Sequence, residues 1–222
     1  MNGSSGKGYR AWAAVMLKGG ARKTTTIAML AFALAKIGEE VAVIDADTYT
    51  QGLTEWVSSI YAGGGEPPFH MHQWSRAAGG LLVPFVQRVQ ADTGAGYVLL
   101  DMGAEDPDAV RQVLPLLDLV VSPVGPEQAE LSRVPATRAL VAPLHPHLLL
   151  TRVDQVGIGM AAAMRDDFSR AGYRVLDIEV PRNRQQYAHV FGTVPEHLGA
   201  YEQVAAELCA ADFAEAALAV VG

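Results

Sequence analysis

A glycine-rich segment with two lysines, LKGGARKTTT at residues 17–26, has the residue types and spacing of a phosphate-binding loop. It directly follows an apolar run and opens a segment of helical character, which is the context that such a loop requires. Glycines let backbone N–H groups curve around phosphate oxygens, and a helix N-terminus adds partial positive charge. Lys23 would then neutralise the β and γ phosphates, and Thr24 would offer its hydroxyl to Mg²⁺. The alternative is a glycine-rich turn before a helix with an exposed lysine.

Three aspartates stand at the ends of apolar runs, where a second part of such a site would lie. Asp45 and Asp47 follow VAVI, and Asp101 follows YVLL. An unpaired carboxylate at the end of a buried strand is costly, and water-mediated coordination of Mg²⁺ would explain Asp101. The alternatives are an aspartate that caps the next helix, for the first pair, and a solvated strand-end acid, for Asp101.

These residues need elements that hold them together. Apolar runs at residues 11–17, 41–45, 97–101, 119–123, 147–151 and 174–180 are continuous, as in strands buried on both faces of a parallel sheet. Helix candidates lie between them at 24–37, 51–61, 81–91, 107–117, 127–141 and 160–171, and a last one at 201–220. This alternation predicts a doubly wound α/β fold with a mostly parallel sheet and helices on both faces. Such sheets bind ligands at the carboxyl ends of their strands.

Composition limits the class of protein. The 222 residues carry a net charge of −7, whereas a dedicated, tight nucleic-acid binder is usually basic, so only weak DNA binding through a local patch stays open. The single cysteine, Cys209, excludes an intrachain disulfide and fits a reducing compartment. Neither a transmembrane helix nor a secretory signal is predicted. We expect residues 1–10 to form a flexible Gly/Ser-rich tail and residues 11–222 to form one domain.

The loop resembles the deviant Walker A box of the ParA/MinD family of P-loop ATPases. The matching string is Lys18-Gly19-Gly20-x-x-Lys23-Thr24, with the family's extra lysine near the start of the box. In the family this lysine reaches across a dimer interface to the partner's nucleotide, so the resemblance implies that Lys18 acts in trans and Lys23 in cis. It also implies nucleotide contacts from the whole loop: Lys18, Gly19, Gly20, Ala21, Arg22, Lys23, Thr24 and Thr25.

Two further segments resemble the family's acidic motifs. VAVIDADTYTQGLTEW, residues 41–56, is similar to a motif in which a strand ends in Asp-x-Asp. The resemblance implies that Asp47 orients the attacking water and that Asp45 supports the Mg²⁺ shell. YVLLDMGAEDP, residues 97–107, resembles Walker B, so Asp101 joins Thr24 and Asp45 as a predicted metal-binding residue. Phosphoryl transfer needs positioning and charge neutralisation more than covalent chemistry.

The chain departs from the family pattern in the loop and after the second motif. Arg22 stands where the family usually has glycine, and a side chain there restricts the backbone if a positive φ is needed. Arg22 could instead add charge near the phosphates. Leu17 replaces a small residue or proline, and Thr48-Tyr49 replaces a Pro-Gln pair. These changes bear on the turnover rate more than on the fold.

Two later features give weaker signals. EVPRNRQQY, residues 179–187, resembles the family loop beside the adenine, so Pro181, Arg182 and Asn183 are predicted near the base; a turn punctuated by proline accounts for it equally well. Arginines cluster late in the sequence, and related proteins contact DNA through such residues once dimerised. Arg165, Arg170 and Arg174 are the candidates, against the alternative of an ordinary solvated face.

The resemblance implies a short ParA-type DNA partition ATPase. ATP and Mg²⁺ would promote a homodimer that binds nonspecific DNA, and a centromere-binding ParB-like partner would stimulate slow hydrolysis during plasmid, phage or chromosome partition. We expect a cytoplasmic protein, associated with the nucleoid when ATP is bound, and no membrane partner, because the last helix lacks lysine and arginine. The alternatives are another cargo-positioning ATPase of the family, a regulatory module that scarcely hydrolyses ATP, and a small-molecule synthetase or kinase on the same fold.

Overall fold

The computed structural model describes residues 8–78, 80–153, 158–182 and 190–221. The strands are β1 (Arg10–Ala14), β2 (Val41–Ala46), β3 (His70–Gln73), β4 (Tyr97–Met102), β5 (Leu119–Val124), β6 (His147–Val153), β7 (Arg174–Val175) and β8 (Val180–Pro181). The helices are α1 (Lys23–Lys36), α2 (Gly52–Ala62), α3 (Leu82–Thr93), α4 (Pro107–Val113), α5 (Gln128–Leu131), α6 (Val134–Leu140), α7 (Ile158–Arg170) and α8 (Tyr201–Val221).

The sheet has the strand order β3-β2-β4-β1-β5-β6-β7, and β8 pairs with β6. Every described pairing is parallel, so the carboxyl ends of the strands lie along one edge of the sheet. Strand β1 lies between β4 and β5, with β2 and β3 on one side and β6 and β7 on the other. This arrangement confirms the predicted doubly wound α/β fold, and it places the segment after β1 at the point where the strand order reverses.

Helices cover both faces of the sheet. In β1, Trp12 packs into the core beneath α1, α2 and α8, whereas Ala11 and Ala13 pack into the opposite core beneath α3 and α4. Successive side chains of a strand point to opposite faces, so a strand covered on both sides must be apolar throughout. This is the physical basis of the continuous apolar runs in the sequence.

The elements differ from the predicted ones in three places. Strand β3 was not among the predicted strands; only four residues long, it lies at the edge of the sheet and exposes its end residues His70 and Gln73. The predicted strand at 174–180 is two short strands, β7 and β8. The predicted helix at 127–141 is divided into α5 and α6, with a proline in the first turn of α6, where the missing N–H is tolerated.

The two ends of the described chain pack together. Arg10 begins β1 and so does not belong to the predicted tail. Its Nε atom lies 3.6 Å from Asp212 Oδ2 in α8. The buried Trp12 indole donates a hydrogen bond of 3.0 Å to the same oxygen. The Tyr201 hydroxyl, at the start of α8, lies 3.3 Å from Thr26 Oγ1 in α1. Helix α8 thus docks on the core, and no helix in the described ranges is long and apolar enough to cross a membrane.

Candidate functional site

The segment between β1 and α1 curves around an open cavity of about 360 Å³. Gly20 has a φ of 77°, a left-handed conformation that glycine adopts without strain. Helix α1 begins at Lys23, so its first N–H groups face the same space. The residues that line the cavity are Gly19, Gly20, Arg22, Lys23, Thr24, Thr25, Asp47, Tyr49, Thr50, Ala104 and Glu105.

Lys23 places a positive charge on the wall of this cavity. Its residue is only 7% exposed, and its ammonium group lies 3.4 Å from the carbonyl oxygen of Lys18. Burial lowers the pKa of Lys23, and the carboxylates of Asp101 and Asp47 act in the opposite direction. A buried ammonium group with a neutral acceptor is stabilised by an anion in the cavity, as a phosphate would provide.

Thr24 lies on the cavity wall, and its side chain contacts Asp101 of β4. The Thr24 hydroxyl donates a 2.6 Å hydrogen bond to Asp101 Oδ2. Asp101 is fully buried, and among the described residues its Oδ1 atom has no hydrogen-bond partner. Burial raises the pKa of Asp101 to about 7, and the nearby carboxylates of Asp45 and Asp47 add to the rise. A buried acceptor of this kind calls for a missing partner, such as a cation or its water.

These two residues fit Mg²⁺. The ion is bound in proteins through few side chains, and it keeps several waters and takes phosphate oxygens as its other ligands. The described ranges hold no cluster of three or more histidine, cysteine, aspartate or glutamate side chains suited to a metal ion. The Thr24 hydroxyl, with Asp101 behind it, fits a magnesium ion whose other ligands are waters and phosphate oxygens.

Asp45 lies beside Asp101 in the register of β2 and β4 but makes different contacts. Its Oδ2 atom accepts hydrogen bonds from the Thr54 backbone N–H at 2.9 Å and the Thr54 hydroxyl at 2.8 Å. Its Oδ1 atom accepts one from the Asp47 N–H at 3.1 Å. Oδ2 thus fastens β2 to the first turn of α2, and Oδ1 holds the start of the loop after β2. The metal role of Asp45 stays a prediction, and its contacts give it a structural one.

Asp47 lies on the cavity wall, and its carboxylate also orders the loop that follows β2. Oδ1 accepts hydrogen bonds from the N–H groups of Tyr49 and Thr50, and Oδ2 accepts one of 2.8 Å from the Thr50 hydroxyl. Gly103 passes close by, since a Cβ atom there would lie 3.2 Å from Asp47 Oδ1. A side chain at position 103 would therefore press on the carboxylate that is predicted to orient water and displace it slightly.

Lys18 differs from Lys23 in both position and contacts. It is half-buried, is not among the residues that line the cavity, and its ammonium group donates a hydrogen bond of 3.0 Å to the carbonyl oxygen of Gly19. Among its described contacts, Lys18 therefore has no acidic partner that would fix it. An unanchored lysine at the rim of the loop is compatible with the predicted contact in trans.

The predicted base-side residues lie only partly in the described chain. Pro181 ends β8, Arg182 follows it, and Asn183 lies outside the described residues. The charge of Arg182 lowers the pKa of Arg22, so the two guanidinium groups are near each other. Arg182 is thus within electrostatic range of the loop after β1.

The predicted DNA contacts do not form one free basic patch. Arg165 binds the carbonyl oxygens of Leu176 and Asp177 and the carboxylate of Glu179, the last at 2.9 Å. Arg170 pairs with Asp167 at 2.8 Å. Arg174 begins β7. Neighbouring acids thus balance the first two charges.

A charged cluster beside the loop was missed by sequence reasoning. The buried carboxylate of Glu130 accepts a hydrogen bond of 2.6 Å from the Gly125 N–H and pairs with the Arg152 guanidinium. Arg152 also lies 2.7 Å from Glu127. Thr50 and Glu105 on the cavity wall were also missed, although each lies within four residues of a predicted site aspartate and could have been found from that proximity.

Solved structures of similar fold include nucleotide-bound proteins. A plasmid partition protein of Borrelia burgdorferi B31 bound to AMPPNP has a TM-score of 0.68 at 14% identity, covering 91% of this chain and 99% of that one. A chain of the MinC:MinD cell division complex of Aquifex aeolicus has a TM-score of 0.72 at 16% identity, covering 90% and 96%. Cobyrinic acid a,c-diamide synthase of Mycobacterium smegmatis, with an ATP analogue and magnesium, has a TM-score of 0.66 at 19% identity, covering 90% and 94%. None of the curated proteins matches this chain in sequence.

The parallel sheet, the loop at its switch point and the Thr24–Asp101 pair define a P-loop nucleotide-binding protein. The model of the CobQ/CobB/MinD/ParA nucleotide-binding domain matches residues 12–195. The chain belongs to this family, and the resemblance to ParA and MinD ATPases is confirmed.

Proposed function

We propose that this protein is a ParA-like ATPase that binds ATP with Mg²⁺ and dimerises around the nucleotide. The observation that carries the proposal is the placement of Lys23 and Thr24 on one cavity at the end of β1, with the buried Asp101 hydrogen-bonded to Thr24. Loop N–H groups would hold the phosphates, and Lys23 would oppose the charge of the β and γ phosphates. Bound at the Thr24 hydroxyl, Mg²⁺ would neutralise charge between these two phosphates.

Asp47 is the residue best placed to orient the attacking water. Its carboxylate lies on the cavity wall, and its charge acts on Lys23, which marks the phosphate end. Three hydrogen bonds from the following loop hold this carboxylate and fix its orientation. They also occupy three of the roughly four acceptor sites of the carboxylate, so hydrolysis is expected to be slow until a partner rearranges the loop. This observation favours, as a second candidate, a regulatory module that holds ATP and scarcely hydrolyses it.

Lys18 is proposed as the residue that links nucleotide binding to dimerisation. Its ammonium group is held only by the neighbouring carbonyl oxygen of Gly19 among the described contacts, so it can leave at little cost. A charge-assisted hydrogen bond to a phosphate of the partner's nucleotide would be stronger. ATP-dependent pairing of two chains follows from that exchange.

The proposed role of the dimer is DNA partition with a centromere-binding partner. Support comes from the fold that the chain shares with a plasmid partition protein. Arg165 and Arg170 are engaged by acids, so any DNA contact of one chain is expected to be weak. Two chains on one rigid dimer would bind more tightly through effective concentration.

One experiment separates these levels of function. ATP affinity, ATP hydrolysis, molecular mass and DNA binding are measured with ATP, ADP and no nucleotide. A partition ATPase forms dimers and binds DNA of any sequence with ATP alone. Dimers with hydrolysis but without DNA binding indicate a different cargo, and ATP binding without hydrolysis indicates the regulatory module. Failure to bind ATP overturns the proposal.

A further inference from the structure

Arg22 adopts a backbone conformation that arginine does not favour. At the N-terminal cap of α1 it has φ 64° and ψ 28°, the left-handed region in which a Cβ atom is strained. Gln51, at the cap of α2, has nearly the same conformation, with φ 48° and ψ 34°. Glycine would satisfy either position without strain. An arginine kept at a strained position on a cavity wall suggests that its side chain has a use there.

The Arg22 side chain lies among charged groups on one side of the loop. It is half-buried and lines the cavity together with Lys23 and Thr24. Burial lowers the pKa of Arg22; the charges of Arg152 and Arg182 lower it further, whereas Tyr201 and Glu127 act in the opposite direction. Partly desolvated and beside other guanidinium groups, this cation is stabilised by an anion.

The charged groups near Arg22 and those that face Lys23 lie mostly on opposite sides of β1. Lys23 and Thr24 face Asp101 and Asp47, which follow β4 and β2 on one side of β1. Arg22 is near Arg152 in β6, and near Glu127 and Arg182, which follow β5 and β8 on the other side. In a P-loop the lysine and the magnesium ion mark the β and γ phosphates. The α-phosphate and ribose are then expected on the other side, where the charged neighbours of Arg22 lie.

We propose that the Arg22 guanidinium binds the part of the nucleotide that ATP and ADP share, at the α-phosphate and ribose. This inference rests on the proposed function, because it assumes that the cavity holds an adenine nucleotide. Arg22 then strengthens the binding of substrate and product alike, which slows the release of ADP. Since such binding is uniform, it does not speed the chemical step.

The test compares Arg22→Gly with Gln51→Gly. Both substitutions relieve a left-handed residue at a helix cap, and each is expected to raise the melting temperature of the nucleotide-free protein by about 1–3 °C. Only Arg22→Gly removes a charge from the cavity. It is therefore expected to weaken the binding of both ATP and ADP by about tenfold, which is the contribution of one charge-assisted hydrogen bond. Arg22→Gln keeps a side chain at the strained position. It is expected to weaken the binding of both nucleotides to a similar extent without raising the melting temperature.

The outcomes separate this inference from the proposed function. Calorimetric affinities of Arg22→Gly that equal those of the wild type for both nucleotides overturn the inference and leave the proposed function standing. A loss for ATP alone overturns it as well, because Arg22 would then act at the γ phosphate. A tenfold loss in Gln51→Gly would attribute the effect to the backbone and also overturn it. A wild-type protein that binds neither nucleotide overturns the proposed function itself.

Discussion

Replacing Asp45 with asparagine tests whether this aspartate holds the fold or a metal. Asp45 is fully buried and accepts three hydrogen bonds, two from Thr54 and one from the Asp47 N–H. Asparagine has the same shape but offers one carbonyl oxygen and an NH₂ group in place of two acceptors. If the contacts are structural, Asp45→Asn lowers the free energy of unfolding in the absence of any metal or nucleotide.

The magnitude follows from the contacts that are lost. With NH₂ in the place of Oδ2, the Thr54 hydroxyl can turn and accept, but the Thr54 N–H is left without an acceptor, which costs about 1–3 kcal/mol. The remaining bonds lose their charge assistance. Burial raises the pKa of Asp45, so removing its charge returns part of this cost. We expect a net loss of about 1–3 kcal/mol, which lowers the melting temperature of a domain of this size by about 3–10 °C.

The assay is thermal unfolding in a metal chelator, followed by calorimetric titration of ATP at several Mg²⁺ concentrations. Asp108→Asn is the matched control, because it removes the same charge from an exposed ion pair with Arg111, and its effect should stay within about 0.5 kcal/mol. Thr54→Val removes one donor from the same network and should cost about 1–2 kcal/mol. Wild-type stability of Asp45→Asn, together with a steeper Mg²⁺ dependence of ATP affinity, would refute the structural reasoning and establish a metal role.

The other predictions concern the loop and its water. Lys23→Ala should lower the affinity for ATP by about 100-fold in calorimetry. Lys36→Ala, at the exposed end of the same helix, should leave that affinity unchanged. Lys18→Ala should leave ATP affinity within about threefold but weaken the ATP-dependent dimer in mass measurements; a normal dimer with normal turnover contradicts the trans contact. Asp47→Ala should slow hydrolysis by about 100-fold and retain ATP binding, so normal single-turnover rates would remove it as the water-orienting residue.

The fold could be predicted from the sequence because its strands are buried on both faces. Continuous apolar runs such as residues 97–101 identify strands without any partner information, and the alternation with helices fixes the architecture. Strand β3 was not predicted because it has no such apolar run. It is an edge strand of four residues, and its His70 and His72 side chains are partly exposed to solvent. The break between α5 and α6 was missed, although a proline two residues into α6 was there to signal it.

The site could be predicted only as far as its backbone context determines it. Lys23 and Thr24 lie where the loop motif requires, and the Thr24–Asp101 contact joins two segments 77 positions apart at a shared sheet edge. The motif predicts separate chemical roles for Asp45 and Asp47. It does not predict that Asp45 accepts a hydrogen bond from Thr54 or that Asp47 accepts one from Thr50. Those contacts depend on the length of the turn between β2 and α2. The cluster of Glu130 and Arg152 joins α5 to the end of β6, a contact that no local pattern encodes.

The charge around the loop explains why this edge of the sheet suits a metal–nucleotide complex better than a bare anion. Three carboxylates, those of Asp45, Asp47 and Asp101, lie on the side of β2 and β4. A phosphate chain on that side would be repelled by their charge. A divalent cation beside Asp101 turns that repulsion into attraction, because the ion is the largest local charge. On the side of β5 and β6, Arg22 lies near Arg182 and near Arg152, whose charge Glu127 and Glu130 balance, so Arg22 can attract an anion there without a metal. Strand order thus sets which charges lie on each side of the loop, since the chain places β4 and β5 on opposite sides of the strand that carries the loop.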